Sequence, residues 1–74
     1  MTPHYAIAVF WSDEDQCWIA DVPDLQFCTA HGASPEAAVR EVRVAIEAWV
    51  ATAREMGRPI PEPRYRPAVP AAAE

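Results

Sequence analysis

Residues 5–11, YAIAVFW, form an uncharged run of aromatic and β-branched side chains, and residues 12–16, SDEDQ, follow as a polar stretch. That alternation predicts a strand and the turn that ends it. A second strand is predicted over residues 17–22, CWIADV. Pro23 and Asp24 then make a corner, because proline donates no ladder hydrogen bond and pushes the residue before it towards extended backbone. Residues 27–31 read as a short third strand closed by Gly32, so the first half predicts an antiparallel meander.

Ser34, Pro35 and Glu36 announce a helix: a hydroxyl for an orphan amide, proline at the first helical position, and an acid at the positive end. Apolar residues recur at Ala38, Val39, Val42, Ala45, Ile46, Trp49, Val50, Ala53 and Met56, a single stripe at helical period. Arg40, Glu41, Arg43, Glu47, Arg54 and Glu55 occupy the other face. Gly57 and Pro59 end the helix after about 22 residues, or roughly 33 Å, more than a six-residue strand of about 20 Å can cover. Beyond Gly57 the chain turns proline-rich and extended, with Arg64 and Arg66 bounding the one place for a short fourth strand. The expected fold is therefore α+β, in the order β-β-β-α-(β). Residues 1–58 make one domain and residues 59–74 an extended tail.

Pairing Phe10 with Trp18 would put Ala6, Ala8, Phe10, Trp18, Ala20 and Val22 on one sheet face. Tyr5, Ile7, Val9, Trp11, Cys17, Ile19 and Asp21 would lie on the other. Both faces would be apolar, and one helix covers only one of them. Tyr5, Ile7, Val9, Trp11 and Ile19 are accordingly the expected oligomer interface, unless the tail folds over them.

The chain has 74 residues and a net charge of −5. A domain this small buries a thin core, which self-association would supplement. All six basic residues are arginines, none precedes Arg40, and six of the eleven acids do. An acidic N-terminal half repels phosphate backbones and attracts basic proteins, so direct nucleic-acid binding is not expected. No apolar run suits a membrane span and no leader pattern opens the chain, which suggests a cytoplasmic protein.

Cys17, Cys28 and His31 lack the paired spacing of a zinc site, and nothing beside Cys28 activates a thiol. Both cysteines read as small packed hydrophobes, and no metal or cofactor is implied. A two-metal nuclease built on Asp13, Asp15, Asp21 and Asp24 would need converging carboxylates. Asp13, Asp15 and Asp24 are ordinary turn residues, whereas Asp21 lies within a strand.

The order of these elements resembles the HicB family of antitoxins, particularly its small N-terminal domain. The matching stretches are Tyr5, the acidic run from Asp13 to Asp15, WIADVPDL over residues 18–25, Cys28, Gly32, Ser34 with Glu36 and Ala37, and PIPEP over residues 59–63. Gln26 and Phe27 stand where the family usually has Pro and Gly, and Gln16 and Cys17 where it often has glycines. The resemblance implies a partly RNase H-like arrangement without nuclease carboxylates. It also implies a dimer or tetramer, and a role in masking HicA, a small basic toxin that cleaves RNA. Asp13, Glu14, Asp15, Asp21 and Asp24 are the expected contacts with such a toxin. Fuller members continue into a DNA-binding segment, which this sequence does not show by Glu74, so operator binding is not carried over. The alternatives are an orphan oligomerisation module and a small metal-dependent nuclease.

Overall fold

A computed structural model describes residues 3–65, and the turn of its first hairpin sets the geometry of everything that follows. Strand β1 (Ala8–Ser12) and strand β2 (Cys17–Asp21) are joined by a four-residue turn. Ser12 Oγ accepts from the Asp15 amide and donates to the Asp15 carboxylate, each at 3.2 Å. Gln16 takes a left-handed φ of 53° and donates its side-chain amide to the Asp13 carbonyl at 2.7 Å. This closure makes Ser12 the partner of Cys17 and Trp11 the partner of Trp18.

The expected pairing of Phe10 with Trp18 is thereby corrected by one residue. A slip of one exchanges the two faces of a strand. Val9 and Trp11 share a face with Trp18 and Ala20, and the Trp11 and Trp18 rings meet edge to face with centroids 5.7 Å apart. Ala8, Phe10, Ser12, Cys17, Ile19 and Asp21 occupy the opposite face. Strand β3 (Thr29–Gly32) pairs antiparallel with β2, giving the order β1-β2-β3. It adds Ala30 and Gly32 to the face of Trp18 and Ala20, and Thr29 and His31 to the face of Ile19.

Helix α1 (Pro35–Glu55) covers the face that carries Trp18, Ala20 and Ala30. Its N-cap is Ser34, whose hydroxyl accepts the Ala37 amide at 3.1 Å. Gly57, at φ 69°, ends it: its amide bonds the Arg54 carbonyl and the Arg58 amide bonds the Ala53 carbonyl, the paired closure that favours glycine. Ala38, Val42, Ile46, Val50 and Ala53 are buried, with Ala45 and Trp49 packed at the margin, as the stripe predicts; Met56 is exposed. Tyr5, Ala20, Val22, Leu25 and Cys28 complete the core.

The α+β order of three antiparallel strands and one long helix is the one read from the sequence. Three details differ. Residues 5–7 lie outside the ladder, β3 begins at Thr29 because Phe27 lies in a turn, and no fourth strand occurs among the described residues. Arg66, one end of that expected strand, lies outside them.

Gly32 is where sheet and helix meet. A Cβ there would sit 2.4 Å from the Ala38 nitrogen and 2.7 Å from the Ala37 carbonyl carbon, both backbone atoms that cannot swing aside. Gly32→Ala is therefore expected to lower stability by about 2–3 kcal/mol or more in urea melts, the upper range of overpacking costs.

Candidate functional site

The acids proposed as partner contacts fall into separate places. Asp13, Glu14 and Asp15 form the exposed tip of the β1–β2 turn. Asp13 also accepts the Trp11 indole N–H at 2.8 Å, and Asp15 is held by Ser12. Asp21 lies at the far end of β2, on the sheet face opposite the helix, level with Ala8 and Thr29. Four residue steps separate it from Cys17, roughly 13 Å of strand. Among the described residues no three His, Cys, Asp or Glu side chains are grouped to hold a metal ion.

Asp24 has a different occupation. Its carboxylate accepts the Arg64 amide at 3.0 Å and the Tyr65 amide at 3.0 and 3.2 Å, from chain 40 positions further on. Nearby, the Tyr5 hydroxyl donates to the Pro61 carbonyl, and Ile60 packs on the core. The proline-rich segment is thus clasped across one end of the sheet by two side chains. Phe10, Ile19 and His31 lie on the sheet face opposite the helix, and the tail beyond Tyr65, expected to be able to fold over that face, lies outside the described residues.

The expected interface residues do not form one patch. Tyr5 is buried and Ile7 packs against the core, so neither is presented outward. Val9 and Trp11 lie on the helix side of β1, only partly covered, while Ile19 lies on the outer face. The one-residue correction of the register is the physical reason for this division.

Sequence reasoning passed over Phe27. The segment between β2 and β3 is closed by the Val22 amide bonding the Cys28 carbonyl at 3.0 Å, with further bonds from Leu25 to Val22 and from Cys28 to Leu25. Leu25 and Cys28 point into the core. Trp49 on α1 donates its indole N–H to the Gln26 carbonyl at 3.0 Å, fixing the loop to the helix. Between these anchors Phe27 takes φ 61° and is 92% exposed. A bulky residue in the left-handed region is strained, and a large aromatic in water gains nothing by burial. Beside it a shallow groove of about 550 Å³ runs between the loop and α1, lined by Ala45, Ala48, Trp49, Thr52 and Met56. Among the described residues the two positive-φ positions outside glycine, Gln16 and Phe27, fall where the resembled family often has glycines.

Cys17 and Cys28 are both free thiols. Burial pushes the Cys28 thiol above its ordinary value, with the Asp21 carboxylate adding to the effect, so the thiol holds its proton and packs. Burial raises the Tyr5 hydroxyl in the same way, with Asp24 as the second cause.

These features describe a small α+β domain with an acidic hairpin tip, a sheet face that the helix does not cover and a strained, exposed aromatic. The family model described as "HicB_like antitoxin of bacterial toxin-antitoxin system" matches residues 5–72, and the chain belongs to that family. Comparison with curated proteins and with solved structures returned no match. No helix among the described residues is long and apolar enough to cross a membrane.

Two outcomes are expected from this geometry. Asp24→Ala should remove the acceptor of both tail amides, so Arg64 and Tyr65 lose protection in hydrogen exchange while α1 keeps it. Its cost to global stability should be about 1 kcal/mol, below the usual range for charged hydrogen bonds because the site is exposed. The second concerns alkali. Tyr5 and Cys28 hold their protons more tightly folded than unfolded, so their stabilisation is whole below the ordinary values of 10.0 and 9.0 and is lost as pH rises through the raised ones. The melting temperature should fall progressively above about pH 9, and Tyr5→Phe and Cys28→Ala should each remove part of that fall.

Proposed function

We propose that the chain is a non-enzymatic, cytoplasmic antitoxin that masks a small basic HicA-like toxin which cleaves mRNA. Membership of the HicB-like antitoxin family carries this reading. The charge pattern supports it: the turn acids Asp13, Glu14 and Asp15 form a negative tip suited to drawing in a basic protein, and Asp21 adds a second negative point. Charge steers such encounters, whereas desolvated apolar contacts supply most of the affinity. Phe27 is the anchor in this reading, since strain kept at an exposed aromatic is best understood as serving a partner. Self-association into a dimer or tetramer belongs to the same reading. A nuclease reading finds no support in carboxylates divided between the two ends of the sheet.

The test is co-expression with a short, basic protein encoded beside this gene. The chain should co-purify with that neighbour and relieve its growth arrest; a neighbour that neither binds nor is neutralised removes the antitoxin reading. Phe27→Gly separates the two roles of its position. Relief of left-handed strain, about 1–2 kcal/mol, exceeds the added chain entropy of glycine, about 0.5–1 kcal/mol, so the variant should be more stable by about 0.5–1 kcal/mol. Its affinity for the toxin should nonetheless drop at least about tenfold, as for the loss of an aromatic hot spot.

A further inference from the structure

Strand β1 is one edge of the sheet, and no described strand lies beyond it. Charges, prolines and bulges are what normally keep such an edge from pairing. The sequence AVFWS has neither charge nor proline, and its register with β2 runs through five consecutive pairs without a bulge. Its outward N–H and C=O groups are therefore open to another extended chain.

What could enter is limited by the groove beside that edge. Helix α1 lies mainly over β2 and β3 and only grazes β1, which leaves an opening between Val9 and Pro35, Glu36, Val39, Arg40 and Arg43. Val9 is 37% exposed, Phe10 48% and Trp11 44%. Arg40 and Arg43 are exposed, and neither makes a hydrogen bond or ion pair with a described residue, Glu36 included. Residues three apart on a helix are neighbours, so the two guanidiniums repel one another. With two cations and one carboxylate, the rim is positive on a chain of net charge −5.

We infer that the β1 edge takes an extended, acidic segment of another protein, a partner opposite in charge to the proposed toxin. The segment adds a strand to the sheet: main-chain bonds supply affinity, and side chains at alternate positions supply specificity. The residue facing Val9 turns its side chain into the groove, where one carboxylate can meet both Arg40 and Arg43 and relieve their repulsion. The residues facing Phe10 and Trp11 meet a half-exposed ring on the outer and the helix side respectively, so β-branched side chains suit both. A basic side chain opposite Val9 would face two like charges, which separates this site from the acidic contacts proposed for the toxin. Strand β1 has no carboxylate of its own, so a second copy leaves the guanidiniums unmatched along the ladder. The inference goes beyond the antitoxin reading and does not depend on it.

Fluorescence anisotropy on the full chain tests it, with a short labelled peptide of alternating Val and Thr carrying one central Glu. The peptide should bind, and Lys in place of its Glu should weaken binding at least about tenfold. The double variant Arg40→Glu, Arg43→Glu should reverse that preference with the helical circular dichroism retained, and Arg40→Gln with Arg43→Gln should abolish it. Ile19→Lys, on the outer face, should change neither affinity. Absence of saturable binding by the Glu peptide, or equal binding of the Glu and Lys peptides to the folded chain, overturns the inference. So does a disulfide-linked dimer of Phe10→Cys in a Cys17→Ser background that the Glu peptide fails to suppress, because a second copy would then hold the edge. None of these results bears on toxin neutralisation, which is read separately.

Discussion

The register of the first hairpin governs the rest of this domain. Four turn residues, with Ser12 gripping Asp15 and Gln16 in a left-handed conformation, pair Trp11 with Trp18. That pairing gathers Trp18, Ala20 and Ala30 on one face with Gly32 beside them, which lets the N-terminal turn of α1 approach the sheet backbone closely. A turn longer or shorter by one residue would send Phe10 under the helix and Trp11 outward. Core composition, groove position and the character of the outer face all descend from this one count.

The helix was readable in the sequence because its punctuation is chemical and local. Ser34 and Pro35 begin it, Gly57 ends it, and the buried residues follow the 3.6-residue period. The strands were readable in number and order for the same reason. Their register was not, since SDEDQ offers five polar residues and only geometry decides that Ser12 belongs to the ladder. Phe27 escaped notice because a left-handed position is normally marked by glycine or asparagine, and an aromatic reads instead as the start of a strand. Asp24 read as an ordinary turn residue because its partners are distant in sequence and are backbone amides, which leave no trace in residue type.

Asp24 and Tyr5 also change how the proline-rich segment is understood. Prolines remove donors, so such a segment cannot join a ladder along its length, yet its remaining amides and carbonyls are free to meet side chains. Arg64 and Tyr65 give their amides to one carboxylate, and Pro61 gives its carbonyl to one phenol. Ile60 fills the space between clasp and core. A segment that looks like a linker by composition is thereby tied back to the folded core.

Phe27 stands apart from this economy of packing. Leu25 and Cys28 are committed to the core on either side, while the ring between them has almost no folded neighbours to satisfy. Its identity is therefore free to drift without endangering the fold, and any change is felt by whatever meets the surface. Under the proposed antitoxin role, a position of this kind would let recognition diverge between related copies while the scaffold stays the same.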